Sequence, residues 1–78
     1  MNQQAIEEAI KKHGLWLEKK KGGERANFCD KDLSGANLKG AKLQSALMTG
    51  VNLTGADLEG ADLSYADLFV SNLSESNL

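Results

Sequence analysis

TGADLEGADLSYADLF, residues 54–69, places Leu58, Leu63 and Leu68 five residues apart, and each of these leucines follows an Ala-Asp pair. This spacing fits neither regular secondary structure. In an α-helix the successive leucines would lie about 140° apart around the axis and would form no stripe. In a straight strand they would alternate between the two faces, because five is an odd number. The chain is therefore predicted to turn a corner once in every unit, which returns each leucine to the same interior.

The five-residue repeat continues without insertion from Ala26, as ten full units and most of an eleventh. The third position of every unit is apolar: Phe28, Leu33, Leu38, Leu43, Met48, Leu53, Leu58, Leu63, Leu68, Leu73 and Leu78. The first position is usually Ala, and the fifth is Gly in five of the ten full units. Positions one and three lie on the same side of an extended segment, so both are predicted to point inward. Residues 26–78 are thus predicted to wind as a solenoid around stacked leucines, with glycine at the tight turns.

The run ADLEG-ADLSY-ADL resembles the A(D/N)LXX motif of the pentapeptide-repeat family. That resemblance implies a right-handed quadrilateral β-helix with four units per coil, and therefore about two and a half coils in this chain. Stacking partners would then lie twenty residues apart, which predicts four interior ladders: Phe28–Met48–Leu68, Leu33–Leu53–Leu73, Leu38–Leu58–Leu78 and Leu43–Leu63. On the outer surface the same spacing places Lys39 over Glu59 and Lys42 over Asp62, with opposite charges in both pairs.

Residues 1–25 are predicted to form an amphipathic helical cap and a linker, with the helix ending no later than Gly22-Gly23. An open solenoid end exposes core side chains and unpaired backbone groups, so the helix is expected to cover the first coil. The side chains expected to pack against that coil are Ile6, Ile10, Trp16 and Leu17. The expected ion pairs along the helix are Glu7–Lys11 and Glu8–Lys12.

The bulk composition of the 78 residues excludes several classes of protein. Nine basic and eleven acidic residues give a net charge of −2, which is too mild to indicate a nucleic-acid partner. A single cysteine, Cys29, excludes an intramolecular disulfide and is typical of a reducing compartment. No apolar segment approaches the length of a membrane span or a signal-peptide core. We therefore expect a soluble, cytoplasmic protein.

The residues that could carry chemistry do not form a recognisable site. His13 and Cys29 are the only histidine and the only cysteine, and nothing in the sequence orients them as a nucleophile and its base. Asp57, Asp62 and Asp67 share one position of the repeat, but successive units lie on different faces of the coil. We therefore expect no enzyme activity, no catalytic or metal-binding residues, and no cofactor or small-molecule substrate.

The departures from the repeat indicate a contact surface. Leu47 replaces the usual Asp or Asn, and Phe69 and Val70 occupy outward positions, so these residues with Leu78 form the candidate interface. Since no capping helix follows Leu78, the last coil is expected to be open and to be closed by another copy or by further repeats. The expected partner is a protein or a second copy of the chain, bound through this open end or through the Leu47/Phe69 face. Nucleic acid and membranes are not expected partners.

Two functions are compatible with these features. The first is a small protein–protein interaction or assembly module. The second follows from the family resemblance, because some pentapeptide-repeat proteins mimic duplex DNA and bind type II topoisomerases such as DNA gyrase, which they inhibit or protect. Two and a half coils span only about 12 Å, over which duplex DNA carries roughly seven charges. Residues 26–78 carry a net charge of −4, so mimicry would require a dimer or a longer rod.

Overall fold

The chain begins with one helix, α1, at Gln3–Leu17, and the computed structural model describes all residues, 1–78. Asn2 caps the helix, since its side-chain Oδ1 accepts the Ala5 N–H at 2.7 Å. The helix continues through Gly14 and ends before the expected glycine pair. Lys19 takes a positive φ of 58°, and the Lys20 N–H donates to the Leu15 carbonyl at 2.9 Å. These are the features of a Schellman motif, so the C-terminus of α1 is stopped by a lysine in the conformation that glycine usually takes.

From Asn27 onward the backbone pairs with itself at intervals of twenty residues. The parallel bridges are Asn27↔Leu47, Asp32↔Asn52, Asn37↔Asp57, Lys42↔Asp62, Leu47↔Asp67, Asn52↔Asn72 and Asp57↔Asn77. Twenty residues are four units, so each coil contains four units, as the resemblance implies. The bridges are isolated single residues and no continuous strand forms. The extended segments are this short because every unit also contains a turn.

The corner between successive units is a β-turn with one residue in the left-handed region of φ. In each corner the first N–H of the next unit donates to the carbonyl of the central apolar residue, as in Ala36 N–H to Leu33 at 3.0 Å. The fifth residue of every full unit has a φ between 51° and 72°, which identifies type II turns. These residues are Asp30, Gly35, Gly40, Ser45, Gly50, Gly55, Gly60, Tyr65, Val70 and Glu75. Half of them are not glycine, so the turn geometry follows the repeat and not the residue type.

The apolar core runs along the solenoid axis and is densest in the first half of the repeats. Its buried members come from the first and third positions and from α1: Ile6, Ala26, Phe28, Leu33, Ala36, Leu38, Ala41, Leu43, Ala46, Met48, Val51, Leu53, Ala56 and Leu58. Leu63, Leu68 and Leu73 are only half-buried, and Leu78 is 75% exposed. The last coil has core neighbours on one side only, which explains this gradient.

The cap packs on the first coil differently from the sequence-based prediction. Ile6 is buried and Ile10 is half-buried against the core, but Trp16 is 36% exposed and Leu17 is half-buried. His13 takes the innermost place and has no exposed surface. Trp16 lies outside the buried core and stacks on His13, with ring centroids 5.2 Å apart. The imidazole binds backbone groups at the edge of the coil, which an indole cannot do, because indole has one donor and no acceptor.

Of the predicted surface ion pairs, one of the two between coils forms and neither of the two within the helix does. Lys39 lies 3.5 Å from Glu59, as the twenty-residue spacing predicts. Lys42 and Asp62 form a backbone bridge, but their side chains do not pair. The expected pairs Glu7–Lys11 and Glu8–Lys12 do not form either, and Lys12 instead lies 3.8 Å from Glu24. Exposed i,i+4 pairs gain only about 0.2–0.5 kcal/mol, so competing contacts easily displace them.

Candidate functional site

The aspartates and asparagines at the second position of the repeat are occupied by local backbone contacts. In eight units the Oδ1 of this residue accepts the N–H of the residue two positions on, at 2.9–3.1 Å. The eight residues are Asn27, Asp32, Asn37, Asn52, Asp57, Asp62, Asp67 and Asn72. These are Asx turns, which hold the corner that follows. The carboxylates therefore have a structural role that either Asp or Asn can fill.

Two of these aspartates have additional hydrogen bonds that stabilise the charged form. The Ser34 hydroxyl donates to Asp32 Oδ1 at 2.6 Å, and the Ser64 hydroxyl donates to Asp62 Oδ1 at 2.5 Å. These hydroxyl bonds, followed by the serine N–H bonds, lower the pKa of both carboxyl groups below the ordinary value. Both side chains are exposed, so the lowered pKa maintains the hydrogen bonds that hold the corner and does not create a reactive acid.

The His, Cys, Asp and Glu side chains of the chain do not gather into a cluster of metal ligands. No group of three His, Cys, Asp or Glu side chains lies close enough to hold a metal ion. Both ring nitrogens of His13 are engaged: Nε2 is 2.7 Å from the Gln44 carbonyl, and Nδ1 accepts the Ala26 N–H at 2.9 Å. This arrangement assigns the proton to Nε2 of a neutral imidazole. No nitrogen is left to accept a proton from the half-buried Cys29 thiol.

Of the four predicted interface residues, Leu78 is 75% exposed in the last coil, and the other three fall into two groups. Phe69 and Val70 form one corner, which we call the apolar corner, and their side chains are 72% and 71% exposed. The corner lies in register with the Thr49-Gly50 corner of the preceding coil, since the Gly50 N–H donates to the Phe69 carbonyl at 2.9 Å. Leu47 is half-buried on the flat face beside this corner, where it bridges Asn27 and Asp67.

One exposed aromatic residue was missed from the sequence. Tyr65 is 92% exposed at the corner that precedes the apolar corner, with a φ of 61°. Its place in the repeat could have predicted this exposure, because a bulky residue at the fifth position of a unit must point outward from the turn.

Comparison with known proteins agrees with this geometry. The family profile described as pentapeptide repeats, with eight copies, matches residues 24–55, 32–68 and 46–78. These ranges together cover more than half of the chain.

The chain belongs to the pentapeptide-repeat family.

A similar solved protein is the pentapeptide-repeat protein Rfr23 from the cyanobacterium Cyanothece 51142, known from a crystal structure. The two share 40% sequence identity and superpose with a TM-score of 0.61. The match covers 62% of this chain and 33% of the Rfr23 chain, so this chain matches only a third of its relative's length. The comparison with curated proteins returns no match.

Membership of the pentapeptide-repeat family accounts for the solenoid but assigns no activity to it. The geometry that recurs from unit to unit explains the central leucines, the Asx turns and the corners. It does not explain Leu47, Phe69 and Val70, which depart from the motif. No helix of the chain has both the length and the apolarity needed to cross a bilayer.

Proposed function

We propose that this pentapeptide-repeat protein is a non-enzymatic interaction module that assembles through its apolar corner, Phe69–Val70, with a second copy of the chain. As part of the same proposal, its coil is right-handed and four-sided, and it acts in the cytoplasm, where its single cysteine stays reduced. The observation that carries the proposal is the combination of exposure and backbone strain at Val70.

In the isolated chain the residues at this corner are mostly exposed and Val70 carries backbone strain. A β-branched residue in the left-handed region costs of order 1–3 kcal/mol, and Val70 holds a φ of 51°. The equivalent position one coil earlier is Gly50, which adopts the same conformation without that cost. Two large apolar side chains left in water add a solubility liability. Burial against a partner would offset both costs.

A second copy suits this surface because a two-fold contact places identical residues against each other. A charged corner, such as Glu59-Gly60 or Ser74-Glu75, would then meet a like charge. Among the ten corners of the repeat, only Phe69-Val70 has two apolar residues. The contact can therefore be self-complementary without electrostatic repulsion at its centre.

The test exploits corners that the repeat already contains. The double variant F69T/V70G converts the apolar corner into Thr-Gly, the pair found at Thr49-Gly50 and at Thr54-Gly55. It should keep the fold and remove the contact. Sedimentation equilibrium should give a dimer mass for the wild-type protein and a monomer mass for this variant.

The matched control is S64T/Y65G, which removes the exposed Tyr65 from the neighbouring corner in the same way. It should remain dimeric. A wild-type protein that is monomeric at every concentration would overturn the proposal, and so would a dimer that survives F69T/V70G.

Mimicry of duplex DNA is the weaker proposal for this chain. The second-position carboxylates accept backbone N–H groups within their own units, and Asp57, Asp62 and Asp67 lie on different faces of the coil. A DNA surrogate needs acidic side chains that are free and arranged in rows along one surface. A DNA gyrase supercoiling assay is expected to give the same rate with and without the protein.

A further inference from the structure

The cap helix satisfies the backbone edge of the first coil at some positions and leaves it open at others. The Gln3 side chain forms two hydrogen bonds with the backbone of Asn37. Its Nε2 donates to the Asn37 carbonyl at 2.8 Å, and its Oε1 accepts the Asn37 N–H at 3.0 Å. Next to it, His13 Nε2 donates to the Gln44 carbonyl at 2.7 Å. Lys42 lies between these two contacts along the chain. No cap residue forms a hydrogen bond with the backbone of Lys42.

The pairing pattern of the coils shows what the backbone of Lys42 could bind. In the following coil, Asp62 occupies the equivalent position: its N–H donates to the Ala41 carbonyl and its carbonyl accepts the Leu43 N–H, both at 2.9 Å. The same two groups of Lys42 point toward the cap and have no protein partner. They are one donor and one acceptor, which together can form a single β-bridge with an extended chain.

An open groove of about 450 Å³ lies between α1 and this part of the edge. Its apolar lining residues are Ile10, Leu38 and Ala41, of which only the half-buried Ile10 offers appreciable surface. Its charged lining residues are Glu7, Lys11, Lys39 and Lys42, a net charge of 3 − 1 = +2. Lys39 pairs with Glu59 at 3.5 Å, whereas Lys11 and Lys42 have no carboxylate within 4.0 Å.

We propose that this groove binds an extended, acidic peptide segment of a partner protein. The peptide backbone forms one β-bridge with Lys42, and its carboxylates lie among Lys11, Lys39 and Lys42. Alternate side chains of an extended segment point to opposite sides, so one side can face Ile10 while the other faces the lysines. This is strand addition to an exposed edge, with the lysines providing selectivity for acidic sequences.

The backbone of Lys42 distinguishes a peptide from other anions. A phosphate or a nucleic-acid backbone offers acceptors that could bind the Lys42 N–H and the ammonium groups. It would leave the Lys42 carbonyl without a donor, whereas a peptide N–H satisfies that carbonyl. This inference goes beyond the self-association proposed above and uses a different surface, so either proposal can fail without the other.

Binding is tested with a fluorescein-labelled, acetylated and amidated pentapeptide of alternating Glu and Val, followed by fluorescence anisotropy. Two probes isolate the two contacts. One has Lys in place of Glu, and the other carries an N-methyl group on the peptide nitrogen that would donate to the Lys42 carbonyl. We expect binding of the Glu peptide that weakens with added salt, at least about tenfold weaker binding of the Lys peptide, and about fivefold weaker binding of the methylated peptide.

The protein variants use replacements that suit their positions. K42N introduces the residue found at Asn37 and Asn52, and K11Q retains a good helix former. Together they should weaken binding of the Glu peptide at least about tenfold. K31Q removes an exposed lysine outside the groove and should leave the affinity unchanged. The Lys42 amide signal in a ¹⁵N–¹H NMR spectrum should move when the Glu peptide is added and stay in place when the Lys peptide is added.

Each of the following results would overturn this proposal. The first is equal affinity of K11Q/K42N and the wild-type protein for the Glu peptide, or no binding at low salt. The second is equal binding of the methylated peptide, which would reduce the site to unspecific charge attraction. The third is a shift of the Lys42 amide on simple dilution of the free protein, which would assign the groove to a second copy of this chain.

Discussion

Val70 occupies a backbone conformation that suits glycine, and its side chain is mostly in solvent. We expect V70G to raise the free energy of unfolding by about 1 kcal/mol, because relief of the left-handed strain exceeds the entropy cost of glycine. Urea denaturation at low protein concentration measures this change. The reverse variant G55V places a valine at an equally open corner with a φ of 69° and should lose a similar amount. A V70G variant that is less stable than the wild-type protein would contradict this account of the corner.

His13 holds the cap on the first coil through hydrogen bonds as well as through packing. We expect H13A to lower the free energy of unfolding by about 2 kcal/mol or more, because the Ala26 N–H and the Gln44 carbonyl lose a buried partner. H13F fills the same space without a nitrogen and should also be destabilising. If H13F folds as stably as the wild-type protein in thermal unfolding, the role of His13 is steric only.

The Ser64–Asp62 pair makes stability depend on acid pH. The pKa of Asp62 is lowered, chiefly by the Ser64 hydroxyl, so the stabilisation is complete above the ordinary value near 3.9 and is lost as pH falls through the folded-state pKa. We expect S64A to raise the pKa of Asp62 toward that ordinary value, as measured by carboxyl ¹³C NMR. Asp32 keeps its own partner, Ser34, so its lowered pKa should not change in this variant. An unchanged Asp62 titration would contradict the prediction.

At the scale of elements, two glycines near the cap have opposite roles. Gly14 lies inside α1 with open space around its Cα, so G14A should stabilise the helix by about 1 kcal/mol. A Cβ at Gly23 would overlap the backbone of Leu15 and Trp16. We therefore expect G23A to displace α1 from the first coil, with a loss of roughly 2 kcal/mol or more. Circular dichroism during thermal unfolding compares the two variants, and equal effects would show that the close approach at Gly23 is unimportant.

The repeat elements were predictable from the sequence, whereas the cap contacts were not. The spacing of Leu58, Leu63 and Leu68 demands one corner per unit, and the family resemblance supplied the twenty-residue coil that the Lys42↔Asp62 bridge displays. Apolar spacing placed Ile6 correctly but also placed Trp16 inside. No periodicity argument detects that both nitrogens of an imidazole match backbone groups thirteen and thirty-one residues away.

The whole molecule measures 35 × 23 × 21 Å, and its two ends offer different surfaces. The cap end carries the lysine-lined groove, and the last coil carries the apolar corner. Composition indicated neither surface, because the net charge of −2 is the sum of a basic first third and an acidic remainder, whose charges largely cancel. The departures Phe69 and Val70 could be identified from the sequence. The groove could not, since it exists only where α1 leaves the edge of the first coil uncovered.

The most direct test of the proposed assembly is isotope-filtered NMR on a sample that mixes ¹³C-labelled and unlabelled protein. Contacts between the copies appear in this experiment as intermolecular nuclear Overhauser effects. The account predicts such effects between the Phe69 ring of one copy and the Val70 methyl groups of the other. Their absence at concentrations that reach millimolar, or intermolecular effects confined to other residues such as Leu78, would contradict assembly through the apolar corner.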